Sequence, residues 1–381
     1  MAPALATYEP RDPSSTILYK VVAEHLETFL ASFEADPDAK GLPAYVEREF
    51  YDYLQCGILA HGFLRLGCDT CHKEMLLAFS CKRRGFCPSC AGRRMAQMAA
   101  HLVECVIPWV PTRQWVVSVP IPLRYWTAPS QELTAQVHTI IRTTIAQYYV
   151  NQAVKRGVER QQVQPGSVTF IQRFGGALNL NVHFHCVFLE GVYLDRTEAG
   201  LTPRFVKVEP PSDADIAEVV QTISRRVIRQ LRHLGYLEAG SDPAVATGYD
   251  PLMVDEPALA RTLAASVTQR IACGERAGQQ VRRIGAGFGS EGERPTLTGP
   301  RCASVHGFSL HANTHVSDCV EMYQNGQGEN VAFFWHQICY GSRLWNSQPI
   351  TITRDTKKTD KKANLLYGCQ EENHPFSHRR Y

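Results

Sequence analysis

Two CxxC pairs, Cys68-Asp69-Thr70-Cys71 and Cys87-Pro88-Ser89-Cys90, stand fifteen residues apart in this chain, and no other feature constrains its folding as strongly. Knuckles at that separation close a tetrahedral zinc site with Cys68, Cys71, Cys87 and Cys90 as ligands. Cys56, His61, His72 and Cys81 are spare donors that can join a second zinc or replace one of the four. Between Arg65 and Arg94 seven Lys/Arg face only Asp69 and Glu74, so the knuckles carry the positive charge that meets phosphates. Lys82, Arg83, Arg84, Arg93 and Arg94 are the candidate DNA contacts. The thirteen cysteines are odd in number and crowd between Cys56 and Cys105, which favours thiolate ligands in a reducing compartment over disulfides.

Whole-chain charge adds little, because a net of +3 over 381 residues is near neutral. A hydrophobic content of 44% is enough for ordinary cores in two or three domains. The chain has no run of about eighteen apolar residues, and its first residues lack a basic-then-apolar leader, so a cytoplasmic protein without membrane partners is expected.

Three segments follow one another. Residues 15–108 read as a helical and zinc-binding domain. Ile17, Val21, Leu26, Phe29 and Phe33 recur at helix spacing, Tyr45 to Leu54 forms a second helix, and a third leaves the second knuckle through Met95, Met98 and Leu102. Residues 113–314 alternate strand and helix. Trp115 to Val119 predicts a strand; Leu133 to Tyr148 a helix; Val168 to Phe174 and Asn179 to Tyr193 a hairpin; Ile216 to Leu234 a helix; Leu259 to Ile271 a looser one; and Cys302 to Leu310 a last strand. That order, in an α+β chain, is the order of a ferredoxin-like antiparallel sheet with its helices on one face. Residues 315–381 show no sustained period and read as an irregular tail, whose run Lys357 to Lys362 is solvated.

The chemistry concentrates on Asn181-Val182-His183-Phe184-His185-Cys186. Strand period two puts His183 and His185 on one face, about 7 Å apart along the chain, and turns Val182, Phe184, Cys186 and Phe188 towards the helices. Two imidazoles so placed hold one divalent ion, and their face is expected to lie open to a substrate strand. Gln172, on the neighbouring strand, is the candidate third ligand. His306 and His311 differ by five, so on a regular strand at most one points at the metal. Tyr148 and Tyr149 belong to the apolar stripe of their helix and read as core.

The run Phe79-Ser80-Cys81-Lys82-Arg83-Arg84-Gly85-Phe86-Cys87-Pro88-Ser89-Cys90, the hairpin from Phe170 to His185 and the later His306-Gly307-Phe308-Ser309-Leu310-His311-Ala312-Asn313-Thr314 together resemble the HUH tyrosine transposases of rolling-circle insertion sequences, the IS ninety-one type. The resemblance implies a zinc-binding domain followed by a ferredoxin-like HUH nuclease domain. It also implies magnesium or manganese on the paired histidines, and single-stranded ends of a mobile element as the partner, in a bacterial cytoplasm with nucleoid association when bound. A tyrosine after the last strand would attack the scissile phosphate and form a 5′-phosphotyrosine. A phenol has a pKa of about 10, so a cation that neutralises the phosphate suits the reaction.

The chain departs from the family after Thr314, where the tyrosine-bearing helix and the further folded region of other members are not recognisable. Tyr323 is the first tyrosine after the last strand and the candidate nucleophile; Tyr340, Tyr367 and Tyr381 lack a helical frame. The abrupt change reads as a truncation or frame shift with a replaced C-terminus. The alternative is therefore a transposase remnant that acts only as a zinc-dependent DNA-binding protein.

Overall fold

The computed structural model describes residues 12–35, 41–67, 69, 72, 74–83, 85–175, 179–196, 200–237, 250–271, 276–280, 293–316 and the backbone of 351–354. Helices α1 (Ile17–Glu34) and α2 (Ala44–Gln55) open the chain. Thr16 caps α1 by accepting the Tyr19 N–H on its side chain. A two-stranded antiparallel hairpin follows, β1 (Phe63–Gly67) and β2 (Glu74–Ala78), which the periodicity of the sequence did not predict. Phe63, Leu64, Leu66, Met75, Leu76 and Leu77 are exposed on it. With apolar residues on both faces and no alternation, it gives no strand signal of period two. Helix α3 (Pro88–His101) then starts at Cys87, with Pro88 at its first position.

The second half is built on one antiparallel sheet. β3 (Thr112–Ser118) is followed by α4 (Ile121–Thr127) and α5 (Gln131–Lys155), then β4 (Val163–Gln164), β5 (Gly166–Phe174), β6 (Leu180–Leu189), β7 (Gly191–Leu194) and β8 (Arg204–Lys207). Next come α6 (Asp213–His233), α7 (Pro251–Asp255), α8 (Pro257–Thr268), β9 (Thr296–Gly299), β10 (Cys302–Val305), β11 (Phe308–His311), β12 (His315–Val316) and β13 (Thr351–Arg354). The sheet runs β13-β5-β6-β3-β11-β10-β9, with β12 also paired to β3. β4, β7 and β8 form a separate three-stranded sheet. The fold is α+β with antiparallel sheets, and no described helix is long and apolar enough to cross a membrane.

The expected long second strand of the hairpin breaks at Glu190, where the chain leaves the large sheet for the small one. Gly191 makes the crossing possible, since a Cβ there would collide with the Val206 carbonyl oxygen. The expected last strand is likewise two strands. His306 and Gly307, at φ 51° and 75°, turn the chain between β10 and β11, and two successive left-handed residues are what a tight hairpin turn demands. Helix α4 escaped the periodicity because it is short and begins at Pro120 and Pro122.

Amphipathic packing holds the two layers together. Trp115 and Val117 of β3, Phe184 and Phe188 of β6 and Phe308 and Leu310 of β11 meet Ile141, Ile145 and Tyr149 of α5 and Ile216, Val220 and Val227 of α6 in one core. Tyr149 is fully buried and accepts a 3.1 Å hydrogen bond from Trp115 Nε1, in keeping with a core role. A capping box of Ser212 and Asp215 starts α6.

At the far end of β3 lies a buried ion pair. Arg113 donates to Glu190 through Nε at 2.7 Å and through its second guanidinium arm, and to the Ala312 carbonyl at 2.8 Å. His315 Nε2 lies 2.7 Å from the other Glu190 oxygen. Glu190→Ala would leave a buried guanidinium without its counter-charge, a change of about 3 to 5 kcal/mol. Urea unfolding should show that loss for the single variant, and a much smaller one for Arg113→Met combined with Glu190→Leu. Equal stability of wild type and Glu190→Ala would contradict the pairing.

Candidate metal centres

Four cysteines converge in the N-terminal domain, each carried by a different local device. Cys56 ends α2, Cys81 follows β2, Cys87 precedes α3 and Cys90 lies in its first turn. Their sulfurs all lie within 4.8 Å of one another. The separations are 3.5 Å for Cys87–Cys56 and for Cys81–Cys90, and 3.7 Å for Cys56–Cys90. Ligands of a tetrahedron with metal–sulfur bonds of about 2.3 Å stand about 3.8 Å apart, so the quartet fits zinc without rearrangement. The sulfur hydrogen bonds draw Cys87 down to about 7, chiefly through Cys56 and then Cys81, and hold Cys90 below the ordinary thiol range, while Cys56 and Cys81, which keep the shared protons, are pushed up. Thiolate character is what a zinc ligand needs.

This set differs from the quartet expected from sequence. Cys87 and Cys90 are in it; their companions are Cys56 and Cys81, and Cys68 and Cys71 lie outside the described residues. The two single cysteines join because the β1–β2 hairpin folds back on the end of α2: Gly57, just after Cys56, donates its N–H to the Phe79 carbonyl at 2.9 Å, and the Cys81 N–H points at Cys56 Sγ at 3.3 Å. His61 lines the adjoining recess beside Cys56 and Cys81 without entering the cluster. Phe50, Tyr53 and Phe86 pack around the cysteines in a small apolar core.

The basic residues around the cluster divide by task. Arg83 pairs with Asp52 at 2.5 Å, and Arg94 donates to the Lys82 carbonyl at 2.5 Å, so these two brace the knuckle. Lys82 and Arg93 are exposed, and Arg84 lies outside the described residues.

The paired histidines sit where β6 lies between β3 and β5. His183 stands opposite Ser118 and Gln172, His185 opposite Val116 and Phe170. Their ring centroids are 4.9 Å apart. Val182, Phe184 and Cys186 turn into the core as the strand period demands. The histidine face is less open than expected. His183 is half-buried, but His185 is 6% exposed, Gln172 7% and Gln114 2%, because long side chains of β3 and β5 flank the pair. His183 Nδ1 lies 2.6 Å from the Asn181 carbonyl and His185 Nδ1 2.5 Å from the Gln114 amide, a residue that the sequence reading passed over. His185 Nε2 is buried with no hydrogen-bond partner. Burial, followed by the charge of His183, pushes His185 down to about 3, and burial lowers His183 too, so both imidazoles are neutral and free to ligate.

The remaining candidates separate from this pair. His306 turns to α6, with Nδ1 3.2 Å from Ser224 Oγ, and is buried on the helix side. His311 stands opposite Val116 on the far side of β3 and lies 3.1 Å from Cys302 Sγ. Because β10 and β11 form a hairpin, the even-odd rule for a single strand does not govern these two residues. Tyr323 lies outside the described residues.

Comparison with known families accords with this layout. Residues 21–119 match the family described as transposase zinc-binding domain, and residues 166–247 match the one described as "Putative transposase". The first segment contains the four clustered cysteines; the second contains the β5–β6 hairpin with Gln172, His183 and His185. No curated protein and no solved structure matches the chain.

Cys81→Ser should reduce bound zinc from one per chain to near zero in metal analysis of the purified protein. Unchanged zinc would remove Cys81 from the site and return the case to Cys68 and Cys71. A second expectation concerns pH. An unfolded histidine takes up a proton near pH 6.5, whereas His185 in the fold resists until about 3. Its contribution to stability is therefore complete above pH 6.5 and is lost as pH falls from there towards 3, at roughly 1.4 kcal/mol per unit. Urea unfolding of the protein without added divalent ion, between pH 7.5 and 5, should show a shallower slope in His185→Gln, and an identical slope would contradict a buried neutral imidazole.

Proposed function

From the premise of an IS ninety-one type transposase with an N-terminal zinc-binding domain, which the two matched segments support, we propose that this chain nicks and rejoins single-stranded DNA through a phosphotyrosine intermediate. The observation that carries the reading is the neighbouring pair of neutral imidazoles, His183 and His185, with Gln172 in register beside them on the transposase segment. The strand order β5-β6-β3-β11 supports the ferredoxin-like HUH arrangement, since β3, β5, β6 and β11 take the places of its first to fourth strands.

His183, His185 and Gln172 are the residues that would hold magnesium or manganese, and the orphaned His185 Nε2 is what such an ion would satisfy. A bound ion of this kind neutralises charge on a phosphate and aligns the leaving oxygen. Tyr323 supplies the nucleophile in this reading. Its phenolic oxygen bonds to phosphorus, the P–O3′ bond breaks, the phenol's proton passes to solvent and the freed 3′-oxygen takes one up. Reversal rejoins the strand without a further energy source. Reach is sufficient: Val316 stands opposite Thr112, four residues along β3 from Val116 and hence about 13 Å from the level of His185, and seven extended residues span about 23 Å. The zinc module, with Cys56, Cys81, Cys87 and Cys90 as ligands, presents Lys82 and Arg93 to the DNA backbone; Arg84, outside the described residues, remains a candidate contact from the sequence.

One observation favours the second reading, a remnant that only binds DNA. After β11 the chain continues into β12 beside Arg113 and Thr112, at the end of β3 remote from His183. Attack in line needs the phenolic oxygen about 3 to 3.5 Å from phosphorus, so the segment carrying Tyr323 has to turn back along the sheet.

Incubation with labelled single-stranded DNA and manganese separates the two readings. The proposal predicts a denaturation-resistant adduct that disappears in Tyr323→Phe and in His183→Ala. An adduct that survives Tyr323→Phe excludes that tyrosine, and retained DNA binding without any adduct establishes the remnant.

A further inference from the structure

Gln114 touches the histidine pair from behind. It belongs to β3, is 2% exposed, and brings its side-chain amide 2.5 Å from His185 Nδ1. The neighbouring His183 has its own proton placed by geometry. Its Nδ1 lies 2.6 Å from the Asn181 carbonyl, which only accepts, so Nδ1 carries the hydrogen and Nε2 is left as a bare lone pair. For His185 two arrangements fit. With Gln114 Nε2 as donor, the histidine proton moves to Nε2, a buried atom with no acceptor among the described residues. With the amide turned by half a rotation, its oxygen accepts from Nδ1–H and Nε2 becomes a second bare lone pair beside that of His183.

We propose that Gln114 is a positioning residue that holds His185 in the Nδ1–H form, so that two bare Nε2 atoms converge on one divalent cation. The inference rests on the metal reading of the histidine pair. It treats the two histidines alike, each tied through Nδ1 to an oxygen behind it, Asn181 O for one and Gln114 Oε1 for the other. Ligating histidines have this pattern, in which the N–H of the second ring nitrogen donates to an oxygen that fixes ring and tautomer. It also explains why a buried glutamine stands on the central strand next to Thr112 and Arg113, where an apolar residue would pack as well. Gln172 has a different place, on the other flank of β6 and in register with His183.

The test uses the whole protein with its zinc in place and nitrogen-15-labelled histidine. In wild type without added manganese, His185 should show the nitrogen shifts of the Nδ1–H tautomer, and Gln114→Leu should lose that state. Gln114→Glu, which keeps an oxygen at the same place, should retain it. Manganese titration followed by electron paramagnetic resonance should then show affinity lowered about 10- to 100-fold in Gln114→Leu and kept in Gln114→Glu, with zinc content unchanged. A wild-type His185 protonated on Nε2 overturns the proposal, and that measurement decides alone if the leucine variant does not fold. Unchanged tautomer and affinity in Gln114→Leu overturn it as well. A wild type with the proposed tautomer but no manganese affinity upholds the role of Gln114 in placing the proton and overturns the metal reading instead.

Discussion

The pairing of β6 with β3 is the contact on which the rest of the structure depends. It runs without a break from Thr112 opposite Leu189 to Ser118 opposite His183, and it gives each strand one side packed on the helices and one that carries Gln114 and the paired histidines. The packed side, Trp115, Val117, Phe184 and Phe188, anchors α5 and α6. The other side brings Gln114, His183 and His185 together, and a one-residue slip would send the histidines into the core and Phe184 out of it. Register and chemistry are thus fixed by the same ladder, and the Arg113–Glu190 pair closes its far end.

The two candidate metal centres follow different rules. In the cysteine cluster the metal is structural: four sulfurs from α2, the segment after β2 and the start of α3 are drawn together around a core of only a few aromatic rings. A core that small gains much of its order from a zinc staple. At the histidine pair the scaffold is a sheet strand paired on both sides, and the polar groups are held by hydrogen bonds of their own. Burial keeps the imidazoles neutral, and the Asn181 carbonyl and the Gln114 amide hold their Nδ1 atoms. That contrast suits thiolates for zinc and an imidazole–amide set with open positions for a harder ion that meets phosphate oxygens.

Much of this was legible in the sequence, and the failures have physical causes. The long helices declared themselves through apolar periodicity, as in Ile216, Val220, Ile223 and Val227 of α6. The histidine face followed from the period-two alternation around Phe184. The described cluster shares Cys87 and Cys90 with the expected quartet, because a CxxC spacing fixes only a local chelate loop; which other cysteines join it depends on how the β1–β2 hairpin folds onto α2. That hairpin was invisible because its apolar residues occupy both faces. The His306-Gly307 turn was read through as strand, although a glycine flanked by alternating residues was the available signal. Gln114 was missed because a lone glutamine in a strand has no signature until its partner across the ladder is known.

The central claim is that His183 and His185 hold a divalent cation apart from the structural zinc. Anomalous diffraction at the manganese edge, from crystals grown with zinc and soaked in manganese, tests it most directly. The account predicts a manganese peak between the two Nε2 atoms and within reach of Gln172, with the zinc signal confined to Cys56, Cys81, Cys87 and Cys90. Manganese absent from the histidine pair, or found only at the cysteine cluster, would contradict it.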